Sequence, residues 1–193
     1  LWKSDGTTAG TVLVTDVVSD NDYYGGPRSL TAVGDTVFFV LDDGKHGREL
    51  WKSDGTSAGT AMVKDIGKDD GYEGYDGYGY GGGPQDLAAV GETLFFTADD
   101  GRHGRELWKS DGTAAGTTMV ADISDEGGYY SGPDGLTTVG DTLFFTADDG
   151  EHGQELWKSD GTAAGTVLVK DVYRGGYDSR ASSLSAAGDR LFF

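Results

Sequence analysis

Hydrophobic positions along this chain fall in short bursts separated by turns rich in glycine and aspartate. The residues from Leu30 onward show the pattern. Leu30–Val33 (LTAV) is closed by Gly34-Asp35, a two-residue hairpin signal. Thr36–Leu41 (TVFFVL) follows, β-branched and aromatic, bounded by Asp42-Asp43-Gly44-Lys45-His46-Gly47. Glu49–Asp54 (ELWKSD), the turn Gly55–Gly59 and Thr60–Asp65 (TAMVKD) complete the set. A helix would need apolar residues three and four apart over at least ~10 positions, and glycine breaks every window before that length. Short strands are the prediction.

The set repeats. LWKSDGTTAGTVLV at 1–14 recurs from Leu50, Leu107 and Leu156 with small changes, which places Trp2, Trp51, Trp108 and Trp157 at one repeat position. Four antiparallel strands per ~50 residues is the signature of a β-propeller blade. The expected fold is therefore all-β, a propeller-like array of about four four-stranded antiparallel blades, with a linear β-solenoid as the alternative. Residues 1–193 read as one array with blades at 30–66, 87–123 and 136–172. A split blade would join 1–17 with 184–193. If those halves complete one another the ring closes; if they pair between molecules the product is a polymer. The four tryptophans are expected to pack blade against blade.

Between the last strand of one repeat and the first of the next lie variable segments, the longest being the Tyr/Gly/Asp-rich 67–83. They hold all ten tyrosines: Tyr23, Tyr24, Tyr72, Tyr75, Tyr78, Tyr80, Tyr129, Tyr130, Tyr173 and Tyr177. In an up-and-down sheet these segments share a face with the Asp-Asp-Gly-x-His-Gly turns. Contact with a partner or a glycan is expected there.

Charge narrows the partners. With a net charge of −18, the long-range field repels nucleic acid and anionic membrane and attracts cations. No apolar run approaches the ~18 residues of a membrane span, so membrane insertion is not expected. There is no cysteine, hence neither a disulfide framework nor a thiolate metal site.

The acidic turns supply candidate calcium ligands: Asp42, Asp43 and Glu49, then Asp99, Asp100 and Glu106, then Asp148, Asp149 and Glu155. Paired carboxylates, a glycine for the bend and a following Glu are hard oxygen donors of the kind calcium takes. The competing reading is an Asx-turn, with the carboxylate accepting backbone N–H bonds. His46, His103 and His152 recur once per complete turn, and equal copies argue against a catalytic constellation. Asp5, Asp54, Asp111 and Asp160, each before Gly-Thr, read as tight-turn acceptors. No nucleophile–base or metal-hydrolase spacing is present, so no enzyme is expected.

The motif Glu49-Leu50-Trp51-Lys52-Ser53-Asp54-Gly55-Thr56 resembles the ELWxxDGT repeat of large bacterial surface and secreted proteins. Glu106–Thr113 and Glu155–Thr162 match it in full, and the first copy starts at its Leu1. The resemblance implies an extracellular, propeller-like protein and brings no established activity with it. The hairpin ELWKSDGTAAGT is also similar to the outer hairpin of quinoprotein-type blades, without their catalytic residues. Together these readings lead to a non-enzymatic structural repeat that self-associates into a surface layer, adhesin stalk or fibre. A calcium-dependent, lectin-like glycan-binding propeller is the alternative.

Overall fold

The computed structural model describes residues 1–17, 26–67, 82–123 and 132–193. Among these the chain is all-β, with sixteen strands and no helix. It opens with a strand pair, β1 (Trp2–Lys3) and β2 (Val12–Leu13). The second blade holds β3 (Arg28–Val33), β4 (Thr36–Asp42), β5 (Arg48–Ser53) and β6 (Ala61–Lys64). The third holds β7 (Gln85–Val90), β8 (Thr93–Asp99), β9 (Arg105–Ser110) and β10 (Thr118–Ala121). The fourth holds β11 (Asp134–Val139), β12 (Thr142–Asp148), β13 (Gln154–Ser159) and β14 (Val167–Lys170). A last pair follows, β15 (Ser185–Ala187) and β16 (Arg190–Phe192).

In each four-stranded sheet the strands neighbour one another in chain order, all antiparallel. Every ladder lies inside one repeat, which is the blade-like arrangement expected; in the alternative solenoid, ladders would run from coil to coil. The blades stack because the strand period of two gives each sheet two apolar faces. In β8, Leu94, Phe96 and Ala98 point one way and join Val33, Phe38, Leu50 and Val63 of the second blade. Phe95, between them, points the other way to Leu143, Phe145 and Ala147 of the fourth. The first strands run side by side, β3 by β7, β7 by β11 and β11 by β15. Thr138 Oγ1 ties two of them by donating to Ala89 O at 2.9 Å.

Three of the tryptophans lie against neighbouring sheets. Trp108 sits in the cluster between second and third blades, and Trp157 packs on the one between third and fourth. Trp51 joins Phe39 and Leu41 against Leu1 and Val17. Trp2 is exposed: among the described residues no sheet lies on its side of β1–β2.

The two terminal strand pairs stand apart within this chain. Residues 1–17 and 184–193 do not combine; β1–β2 and β15–β16 are separate two-stranded sheets. Each pair stacks on its neighbour in sequence, the first on the second blade and the last beside β11, at opposite ends of the stack.

The first strand of each blade begins earlier than its apolar run and carries a bulge. The register slips between Arg28 and Thr31, between Gln85 and Ala88, and between Asp134 and Thr137. At the slip the backbone is left-handed, with φ of 52° at Ser29, 50° at Asp86 and 68° at Gly135. Only the third copy uses the residue that suits this geometry.

Candidate functional site

The described ends of the inter-blade segments meet the Asp-Asp-Gly-x-His-Gly turns on one face, as the strand order requires. Asp99 N donates to Gly82 O at 2.8 Å, and Ser179 N to Gln154 O at 3.1 Å, joining turn and segment directly. That face is the candidate site.

Each acidic turn is self-contained. Asp43 Oδ1 accepts from the N–H groups of Lys45 and His46, both at 2.9 Å, and Asp43 Oδ2 meets His46 Nδ1 at 2.8 Å. Asp42 Oδ1 accepts from Gly44 N at 2.7 Å. The pattern repeats at Asp99, Asp100 and His103, and at Asp148, Asp149 and His152. Burial works to raise the pKa of Asp43, Asp100 and Asp149. The hydrogen bonds from the histidine ring and N–H outweigh it and hold all three carboxyls below the usual range. The Asp149 hydrogen bond in turn raises His152. Each imidazole thus binds its own turn. The Asx-turn geometry is what these carboxylates form.

Glu49, Glu106 and Glu155 do not join the aspartates. They are buried, and each reaches back to the start of an inter-blade segment. Glu49 accepts from Ile66 N at 3.0 Å and Gly67 N at 3.3 Å. Glu106 accepts from Ile123 N at 3.0 Å, and Glu155 from Val172 N and Tyr173 N at 3.3 and 3.4 Å. The sequence marks these residues as acidic and the fold uses them as latches. Burial pushes Glu49 up to about 8, against the pull of the Ile66 N–H, and the Asp65 charge adds to the rise. Protonated Glu49 is the form that can donate to Asp65. Among the described residues no three His, Asp or Glu side chains gather where they could share a metal ion.

Two sets of lysines carry interactions that residue type alone did not announce. Lysine of the third strand crosses to the next blade: Lys3 Nζ donates to Gly55 O and Lys109 Nζ to Gly161 O, both at 2.8 Å. From the fourth strand, Lys64 Nζ donates to Thr117 O at 2.7 Å and lies 5.8 Å from the Trp108 ring centre. Trp108 itself donates from Nε1 to Ala98 O at 3.2 Å.

The SDGT turns hold themselves. Asp111 Oδ1 accepts from the Thr113 hydroxyl at 2.7 Å and its N–H at 2.8 Å; these bonds, hydroxyl first, lower the carboxyl's pKa. Asp5, Asp54 and Asp160 are lowered by the same pair of bonds. A Cβ on Gly116 would run into the Asp111 carboxylate, which is why the AGT glycine is required.

Between the second and third blades the face holds a groove of about 680 Å³ lined by Lys64, Asp65, Asp100, Arg102 and Trp108. Of the tyrosines, Tyr173 and Tyr177 are exposed with rings 6.0 Å apart and perpendicular. Tyr23, Tyr24, Tyr72, Tyr75, Tyr78, Tyr80, Tyr129 and Tyr130 lie outside the described residues.

Comparison with protein-family models and with curated proteins finds no match to this chain.

Proposed function

We propose that the chain is a non-enzymatic, extracellular structural repeat that associates with itself to build a surface layer, an adhesin stalk or a fibre. The observation that carries this reading is one blade-to-blade interface used repeatedly: Trp108 packs between the second and third blades and Trp157 between the third and fourth, and Lys3 and Lys109 each cross to the next blade in the same way. Units stacked through nearest-neighbour interfaces of this kind build extended scaffolds. The repeated turns, each satisfied internally and each alike, supply scaffold rather than an asymmetric reacting centre. The ELWKSDGT resemblance supports placement outside the cell. Light scattering of the purified chain over a concentration series tests the reading: mass should rise with concentration, and a constant monomer mass would end it.

A second reading has one observation in its favour, the exposed Tyr173–Tyr177 pair beside acidic turns. Tyrosine rings of this kind suit glycan contact, and calcium would enter as an ion on the outward carboxylates. A glycan screen with calcium and with chelator tests it. Binding that vanishes on chelation supports both parts, and no binding in either buffer removes them.

A further inference from the structure

On the face of the Asp-Asp-Gly-x-His-Gly turns, the junctions between blades are built from the same repeat positions but carry different charge. Between the second and third blades, β6 ends in Lys64 and the turn of the next blade supplies Arg102, and both line the groove of about 680 Å³. The same two positions hold Ala121 and Glu151 between the third and fourth blades, and Thr15 and Lys45 ahead of the second. Of these junctions, the middle one alone brings two cations together, in a chain whose net charge is −18.

The cations are held in place without being used up. Lys64 Nζ donates to Thr117 O at 2.7 Å and lies 5.8 Å from the Trp108 ring centre. An ammonium has further N–H groups to give. Arg102 is anchored through its backbone N–H, which Asp100 Oδ1 accepts at 2.9 Å, and its side chain is exposed. Among the described residues neither cation forms an ion pair with a carboxylate. The acids of the groove are engaged elsewhere. Asp100 accepts from His103 N at 3.1 Å and meets His103 Nδ1 at 2.9 Å within its own turn. Asp65 faces the Glu49 carboxyl, whose proton it accepts, and remains exposed on its other side.

We propose that this groove binds a small, singly charged carboxylate that also carries hydroxyl groups, a sugar acid being the simplest example. The guanidinium fork of Arg102 matches the two carboxylate oxygens, Lys64 adds a charged donor beside it, and Asp65 accepts from a hydroxyl. The volume is that of a small-molecule pocket, roughly 300–1,000 Å³. A polyanion is disfavoured because the field of the whole chain repels each added charge, and a neutral sugar would leave both cations without a counter-charge. The site draws on neither the tyrosines nor calcium nor contact between copies.

The test is titration of glucuronate into the dilute chain with chelator present, followed by NMR chemical shifts. One site per chain should fill with a Kd of about 1 mM, ordinary for a ligand of this size. Glucose, which lacks the carboxylate, should bind about tenfold more weakly or not at all. Arg102→Glu, which copies Glu151 at an exposed turn position, should abolish glucuronate binding and leave the melting temperature unchanged. Ala121→Lys combined with Glu151→Arg should build the same pair at the next junction and add a second site. Glucuronate that shifts no groove resonance, glucose that binds as well, or an Arg102→Glu chain that binds like the unmodified one would each overturn the proposal. A double variant that gains no site would overturn the Lys–Arg pair as what makes the groove selective.

Discussion

The interface between the second and third blades and the outer faces of the stack are made of the same amino acids in the same repeat positions, yet one is dry and the other wet. At the interior, Trp108 lies between sheets with Val63 and Ile66 packed against it; at the edge, Trp2 has solvent where those residues would stand. The difference lies in neighbours, not in sequence. Each repeat encodes half of two interfaces, and it gains its stability only when both halves are matched.

The largest expected effect separates the two tryptophans. Trp108→Ala should destabilise the chain by about 3–5 kcal/mol, as for large core truncations. Trp2→Ala should leave the melting temperature of the monomer within about 1 °C, because an exposed surface position contributes little to folding. Equal effects at the two sites in a denaturant melt would abolish the distinction.

The next concerns pH. Glu49 holds its proton more tightly when folded, near 8 against an ordinary 4.5, so the folded chain binds more protons between those values. The stabilisation is fully present below about 4.5 and is lost as pH rises through about 8. Melts from pH 5 to pH 8 should show falling stability, and Glu49→Gln should flatten that slope. An unchanged slope in the variant would remove Glu49 as its source.

Gly116→Ala, which drives a methyl into the Asp111 carboxylate, should cost about 1–3 kcal/mol as an overpacked site. The same change at Gly10 meets Asp5 in the outermost strand pair, and it should disturb only that pair. Amide exchange would show whether protection is lost throughout the third blade or in β1–β2 alone.

The smallest effect has the opposite sign. Asp86 occupies a left-handed bulge position, and burial together with the facing Asp134 raises its carboxyl's pKa. Asp86→Gly should stabilise by about 1 kcal/mol, the strain of a side chain in that region. A lower melting temperature would mean that the Asp86 bond to Gly135 N outweighs the strain.

Most of the blade was legible in the chain. The alternation in TLFFTAD, closed by Gly-Asp and Asp-Asp-Gly, places β8 and its neighbours within a residue or two of where they form. The first strands were read short because Arg28 and Ser29 are polar and carry the bulge, and Ser29, Asp86 and Gly135 share no residue type that would announce it. Glu49 was read with the aspartates because sequence shows that a group is acidic but not which way a strand turns it. In β5 it points inward, and its burial follows from the Ile66 and Gly67 amides that need an acceptor there. The split blade was inferred by counting strands. Counting gives sixteen strands but not which of them share a sheet.

The latch has a consequence for how such arrays vary. Glu49 pins the chain at Ile66 and Gly67, and the Gly82–Asp99 bond recaptures it, with Gly67 and Gly82 near neighbours in space. Departure and return are therefore two fixed posts standing together, and the stretch hung between them can grow without moving either. Closing a flexible loop between two such posts costs only about 0.6 kcal/mol more for each doubling of its length. New peptide can be spliced in at 68–81 while the stack beneath keeps its register, so the face can diversify faster than the blades that carry it.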